Sequence, residues 1–518
     1  MRHTAIPSHV KTCSTVKGRP ERKSRASKSM DLGEVTVSDP NLQSSPKKQP
    51  RELRTSTLAE PSLRVEEESG SFVTGCTAAN LSMEMRNTKH AGQLRPLTDQ
   101  SALREDRLSL PVITGKSPRS PTIVTVDDSA NLPLAAPEAL RVYRDRLTDY
   151  EKGEILYVQQ VYFIGTEGCK KVIAASSRPN FGFDDERGNF LIALGDHINY
   201  RYEVLGILGK GVFGQVIKCM DHKRNELVAI KIITNKTRFQ QQGAIEVRVL
   251  DLLRNKDPTD RQGVVKLKTS FMFRRHICMV FELLSITLSD FIKTSGKKGV
   301  SQGLVRRFAL QLVLSLQYLS SLNVIHCDLK PDNILLKDPR RSGIRIIDFG
   351  SSCLASEKLY TYIQSRFYRA PEVILGLPYD CSIDMWSLGC VLAELFLGVP
   401  LFAGLNEQDQ LLCMMEVLGV PPKELIQISP RNRLFFEGNV PKLVPSGKGK
   451  QRLPEGRPLT AVLKGATPLF LDFVRKCLRW DPAQRLTPQA ALAHRWIQEG
   501  IAKLHQESRS ETSIDIDR

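Results

Sequence analysis

Several things are missing from this 518-residue chain, and each absence removes a class of protein. No run of about 18 apolar residues occurs, so a membrane-spanning helix is not expected. The basic N-terminus is followed by no apolar stretch of the signal-peptide kind, which argues against secretion. The 11 cysteines form no CxxC pair and no repeated spacing, so neither a zinc site nor a disulfide framework is expected. Aromatics make up only 7% of residues and do not interleave with Lys and Arg, which leaves no pattern for direct nucleic-acid binding. The expectation is a soluble protein of a reducing compartment, with neither a membrane nor a nucleic acid as its partner.

What is there is ordinary in bulk and uneven along the chain. Hydrophobic content of 41% and charged content of 25% suit a globular protein. The net charge of +18 would attract acidic partners, but a basic tail and a phosphate-handling surface account for it. Residues 1–135 are rich in Ser, Thr, Pro, Lys and Arg and have no helical or strand period, so a disordered tail is expected. Its first thirty residues hold eight Lys or Arg and one acid, which fits a nuclear-import signal or, as we favour, a solvated tail. Ser45-Pro46, Ser117-Pro118 and Ser120-Pro121 are weak candidates for proline-directed phosphorylation.

From 136 to 201 the chain reads as a folded accessory segment, too short for a core of its own, that must dock on the larger domain C-terminal to it. Leu140, Tyr143, Leu147 and Tyr150 have helical spacing, and Ile155–Ile164 reads as strand. From Tyr202 three apolar runs (Val204–Leu208, Gln215–Cys219, Leu227–Ile233) predict a small antiparallel sheet. A helix over Gln240–Arg254 and two more strands near 264–273 and 276–282 complete a small lobe. Helices over Leu304–Leu322 and Ile383–Phe396 predict a larger helical lobe, with a Pro-, Gly- and Lys-rich insertion at about 421–460. The last helix is expected to end near Ile497, leaving 498–518 as a polar tail.

Chemistry-bearing motifs sit at fixed points of this pattern. Gly209-Lys210-Gly211-Val212-Phe213-Gly214-Gln215-Val216 matches G-x-G-x-x-G-x-V, a turn whose backbone N–H groups can approach a triphosphate closely. A dinucleotide-binding turn would open a helix on these glycines, whereas here another strand comes next. Val228-Ala229-Ile230-Lys231 ends a strand with a lysine able to pair phosphates, and Glu246 on the next helix is positioned to hold it. His326-Cys327-Asp328-Leu329-Lys330-Pro331-Asp332-Asn333 is followed by Asp348-Phe349-Gly350 and Ala370-Pro371-Glu372. A base, a lysine, an amide and a second carboxylate in this order specify phosphoryl transfer: Asp328 as base, Lys330 for charge, Asn333 and Asp348 as magnesium ligands. Asp384 is expected to anchor the catalytic-loop backbone and Arg485 to pair with Glu372.

These motifs, from Tyr202 to about Ile497, resemble the eukaryotic protein kinases, and finer residues narrow the likeness. Cys327 where most kinases carry Arg, the segment Tyr360-Thr361-Tyr362 through Arg369, and the insertion at 421–460 resemble the dual-specificity tyrosine-regulated (DYRK) family. Asp184–Tyr202 is similar to that family's homology box, and 139–165 to the accessory region of its class II members. The resemblance implies an α+β bilobal fold and a monomeric catalytic unit using ATP with Mg2+, or Mn2+ in its place. Leu208 and the glycine loop, Ala229, Lys231, the gatekeeper Phe281 and the hinge Glu282-Leu283-Leu284 would line the nucleotide site. It further implies autophosphorylation of Tyr362 and then transfer to Ser and Thr of protein substrates that have Arg before and Pro after the target. Arg366 and Arg369 would receive the phosphotyrosine, since Cys327 cannot. Cytoplasm, with the nucleus as a second compartment, is the expected location. Asp332 stands where the family usually has Glu, Val212 where it has Ser, and 166–181 departs from its pattern. Cys327 and Cys353 are read as buried free thiols rather than a redox pair. A pseudokinase would lack one of Lys231, Asp328 or Asp348, and a small-molecule kinase would lack the Ala370-Pro371-Glu372 segment; a scaffold role of 1–135 is compatible with catalysis.

Overall fold

The computed structural model describes residues 132–503, apart from 359, 446–448 and 450. The basic N-terminal run and the Ser-Pro pairs lie outside the described residues. The folded part starts earlier than the sequence pattern suggests, because strand β1 (Leu134–Ala135) pairs antiparallel with β2 (Gln160–Val161). Helix α1 (Ala136–Val142) opens on Pro137, and α2 (Asp149–Glu154) opens on a capping box in which Thr148 and Glu151 satisfy each other's backbone N–H. The expected strand over Ile155–Ile164 is a correction: only Gln160–Val161 pairs, after a 3₁₀ turn at Ile155–Tyr157. Ile155, Val161 and Ile164 instead bury themselves around Tyr200 in a small core of their own.

Six strands form the small lobe in the order β3-β4-β5-β6-β8-β7, all neighbours antiparallel. They are β3 (His197–Ile198), β4 (Tyr202–Lys210), β5 (Gly214–Asp221), β6 (Glu226–Ile233), β7 (Leu267–Phe273) and β8 (His276–Glu282). Strand β3 belongs to the accessory segment, so that segment extends the sheet at its edge. One sheet face packs Val204, Ile217, Val228, Ile230 and Val280 against Phe183 and Phe190 of the accessory segment. The other meets α3 (Thr237–Lys256), which buries Glu246, Val249, Leu250 and Leu253. The region 166–181, irregular in sequence, still docks: Val172 and Ala174 pack on the small lobe, and the Lys171 ammonium donates to Glu151 at 2.9 Å.

Below Glu282 the chain is helical. Helix α4 (Leu288–Thr294) and α5 (Gln302–Ser321) precede the short strands β9 (Val324–Ile325), β10 (Ile334–Leu336), β11 (Ile344–Ile346) and β12 (Cys353–Leu354). Then come α6 (Pro371–Leu375), the almost wholly buried α7 (Ser382–Leu397) and α8 (Glu407–Leu418). The insertion folds as α9 (Lys423–Ile428), α10 (Asn432–Phe435) and the hairpin β13 (Phe436–Glu437) with β14 (Val440–Pro441). Helices α11 (Leu459–Val462), α12 (Pro468–Cys477) and α13 (Pro488–Ala493) complete the lobe. The final helical run does not stop near Ile497 but continues through 503. Among the described residues no helix is long and apolar enough to cross a membrane.

Candidate active site

The glycine loop is the turn of the β4–β5 hairpin, closed by the Gly211 N–H donating to the Gly214 carbonyl at 2.8 Å. Gly214 cannot be replaced cheaply, since a Cβ there would stand 2.1 Å from the Ile232 carbonyl oxygen. Leu208 and Val212 are exposed, so the loop forms an open roof of backbone groups and apolar side chains. Ala229 pairs with Phe281 across β6 and β8, which puts the gatekeeper directly behind the strand that carries Lys231. The Glu282 carboxylate is drawn away to Arg345 at 3.3 Å, and Leu283 and Leu284 are half-buried beside it.

Lys231 is the hinge of a charged triad. Its ammonium donates to both Glu246 oxygens at 2.7 and 2.9 Å and to Asp348 Oδ1 at 2.8 Å. Burial alone would push this lysine down, but Asp348 and Glu246 outweigh it and hold the ammonium above its ordinary value. The charge of Lys231 in turn keeps the Asp348 carboxyl at about 2 against the cost of burial. Burial pushes Glu246 up against the pull of the same lysine. Helix α3 is tied to the Asp348 segment at further points. Gln242 donates to the Gly350 carbonyl at 2.8 Å and accepts from the Tyr360 hydroxyl at 3.0 Å, and Arg248 pairs with Glu357.

The catalytic loop has its own frame. Asp384, at the start of the buried α7, accepts from the His326 N–H at 2.7 Å and the Cys327 N–H at 3.1 Å. These two bonds hold Cys327 at φ +63°, a conformation that a non-glycine residue adopts at a cost. His326 packs edge-on against Phe349, with ring centroids 5.0 Å apart. The Arg485 guanidinium meets both Glu372 oxygens at 2.6 and 2.8 Å, both side chains buried, and so fixes the end of the activation segment.

On this frame Asp328 collects three partners. Lys330 Nζ donates to its Oδ2 at 2.7 Å, and Ser365 donates to its Oδ1 through both the hydroxyl (2.7 Å) and the backbone N–H (2.9 Å). Asn333 Nδ2 donates to the Asp328 carbonyl at 2.9 Å, which leaves the Asn333 side-chain oxygen as an acceptor. A carboxylate and an amide oxygen are hard donors that suit a small divalent cation, so the residues present fit one. Arrangement and motif together are those of a phosphotransferase.

A family model described as protein kinase domain matches residues 202–497. The chain is 50% identical over 389 residues to dual specificity tyrosine-phosphorylation-regulated kinase 4 of Homo sapiens, covering 73% of this chain and 75% of that one. It is 46% identical over 429 residues to kinase 3 of that name from Rattus norvegicus, covering 78% and 73%. It belongs to the DYRK family of protein kinases. A Drosophila melanogaster relative, kinase 2 of the same name, is 47% identical over 387 residues, which is 74% of this chain and 54% of the longer fly protein.

Within this DYRK kinase the activation segment shows what sequence reasoning reached and what it missed. Tyr362 is 65% exposed and its ring lies over the Arg369 guanidinium, 4.1 Å from centroid to Cζ. Arg369 is buried, donating to the Ile363 and Gln364 carbonyls and to Glu407 at 3.1 Å. Arg366 is not turned toward Tyr362 in the same way: its guanidinium donates to the Leu405 carbonyl at 2.6 Å, and its buried Nε has no partner. Missed by sequence reasoning were Ser365, which has no motif of its own, and Glu407, the carboxylate that Arg369 meets from far along the chain. Cys327 and Cys353 stand with their sulfurs 3.8 Å apart, both buried. The hydrogen bond to Cys353 and burial push the Cys327 thiol well above its usual range, which keeps it protonated.

Proposed function

We propose that this chain is a class II DYRK kinase that autophosphorylates Tyr362 and then phosphorylates Ser and Thr of protein substrates. The observation that carries it is the convergence on one cleft of Lys231–Glu246–Asp348 from above and Asp328–Lys330–Asn333 from below. ATP supplies the γ-phosphoryl group and Mg2+, with Mn2+ as a substitute, the positive charge that offsets its oxygens. The glycine loop with Leu208 and Ala229 encloses the nucleotide, and the Glu282–Leu284 backbone offers it hydrogen bonds at the hinge. Asn333 and Asp348 would hold the metal. Asp328 accepts the proton of the substrate hydroxyl at Oδ1, where the Ser365 hydroxyl now donates, while the Lys330 ammonium balances negative charge on the transferred group. The charge added at Tyr362 is met by Arg369, whose guanidinium already lies against the ring, with Arg366 as the second partner once it leaves the Leu405 carbonyl.

Substrate choice depends on two acids. Asp332 is exposed within the catalytic loop, and the buried Glu394 on α7 accepts from the Tyr368 hydroxyl at 2.6 Å. Burial, with Asp332 nearby, raises Glu394 to about 7. An arginine ahead of the target residue is the partner that such a pair would take. The kinase works as a monomer, without direct contact to nucleic acid or membrane, in the cytoplasm with the nucleus as a second compartment. The test is to incubate purified protein with Mg-ATP and a peptide array, and to map residue 362 by mass spectrometry. Transfer to Ser or Thr peptides together with phosphotyrosine at 362 is expected. Active protein without phosphate at 362 would reject the autophosphorylation while leaving transferase activity standing.

A further inference from the structure

Around Tyr362 the structure has gathered more positive charge than the sequence motif supplies. Arg369 and Arg431 share one carboxylate: Glu407 accepts from Arg369 Nη1 at 3.1 Å and from Arg431 Nη2 at 2.7 Å. Arg431 comes from the insertion, one residue ahead of α10, and also donates to the Ile374 carbonyl at 2.7 Å at the end of α6. Tyr362 stands within electrostatic range of Arg431, and its ring covers Arg369. Arg369, Arg431 and Glu407 carry two positive charges and one negative, so the group has a cation to spare. A phosphate on Tyr362 brings nearly two negative charges and three acceptor oxygens, which two guanidiniums can meet.

We propose that Arg431 is a third arginine of the phosphotyrosine site, and that Glu407 holds Arg369 and Arg431 side by side until the phosphate arrives. The insertion then takes part in activation: once Tyr362 is phosphorylated, Arg431 fastens α10 to the activation segment. The inference rests on the autophosphorylation of Tyr362 proposed above. Electrostatics agree with it, since Arg431 and Arg369 together outweigh burial and keep the Glu407 carboxyl below its ordinary range, ionised and in place. Guanidinium forks suit a phosphate because two parallel N–H groups meet two oxygens at once, which a lysine cannot reproduce.

The experiment uses the full chain with Arg431→Gln and Arg431→Lys. Phosphate at residue 362 is first quantified by mass spectrometry, then its removal by a tyrosine phosphatase is timed on the same peptide. Loss of one charge-assisted hydrogen bond predicts removal about tenfold faster in Arg431→Gln, with Arg431→Lys in between. The melting temperature is compared before and after phosphatase treatment. A merely structural Arg431 would lower Tm equally in both states, whereas a phosphate ligand reduces the gain that phosphorylation brings. Phosphate present at 362, with wild-type removal rate and wild-type gain in Arg431→Gln, overturns this inference alone. No phosphate at 362 in any variant overturns the autophosphorylation reading and this inference with it.

Discussion

Glu151 ties the accessory segment to the kinase lobe, and replacing it by glutamine tests how much that tie contributes. The carboxylate is 2% exposed and accepts from Lys171 and His197 at 2.9 Å each, from the Thr148 N–H at 2.9 Å and from Arg274 at 3.4 Å. Glutamine keeps the shape but removes the charge and turns an N–H2 group toward donors. Arg274 would retain Glu154, which meets it at 2.8 Å, so it is not orphaned. Lys171 would keep only the Ile164 carbonyl at 2.7 Å and a distant Asp196 at 4.0 Å. One buried cation losing its main partner places the cost at about 3 kcal/mol, the lower end for broken buried pairs. For a domain of this size that corresponds to a Tm drop of about 4 °C. Burial alone would raise the Glu151 carboxyl, but the hydrogen bond from His197 and the charge of Lys171 hold it well below the carboxylate range. A depressed native value means the stabilisation is present above the unfolded value of 4.5 and is lost as pH falls through the native one. The wild-type advantage should therefore be full at pH 7 and shrink steadily below about pH 4.5. Thermal denaturation across that range, with limited proteolysis of the accessory segment, reads both effects. A glutamine variant melting within about 1 °C of wild type at pH 7 would refute the reasoning.

Other outcomes are expected from the same geometry. Asp328→Asn should lower the turnover of peptide substrate by about 10²- to 10⁴-fold while nucleotide still protects the protein thermally. Tyr362→Phe and Arg369→Ala should each lower activity, and full activity in unphosphorylated Tyr362→Phe protein would sink the activation account. Because Glu394 gains its charge as pH rises through about 7, kcat/KM for peptides with an upstream Arg should increase relative to Arg-free peptides between pH 6 and 8. A flat ratio, or the same rise in Glu394→Gln, would remove Glu394 from substrate choice. Chelation of divalent ions should abolish transfer, and re-addition of Mg2+ should restore it.

Much of the site was legible in the chain because phosphoryl transfer demands particular groups at short spacings. The glycine loop, Lys231, and the run from His326 to Asn333 are each set by local geometry, so sequence order carries their meaning. The strand pattern from Tyr202 to Glu282 was legible for the same reason, since alternation records which face is buried. What was not legible depends on distance. Arg274 and Arg275 read only as a gap between two strands, yet they form the two-residue turn of the β7–β8 hairpin at φ +45° and +66°. Such turns favour Asn-Gly or Gly, and two arginines there are tolerated because Glu151 and Glu154 hold Arg274 from another part of the chain. Ile155–Ile164 misled because its apolar residues bury singly around Tyr200 instead of pairing along a strand. Arg431 sits in an insertion without any motif, and only the fold brings it beside Arg369.

The Lys231–Glu246 pair is closed by the chain's own unmodified residues, and α3 is fastened down at Gly350 and Glu357 as well. A kinase that must first swing this helix inward loses apparent nucleotide affinity in proportion to the rarity of its competent state. In this structure the helix is already in place without a phosphate on Tyr362, so nucleotide should stabilise the unmodified chain as well as the modified one. By the same token, a compound that competes with ATP should occupy young and mature molecules about equally, and its dose would set how many molecules ever complete their own activation.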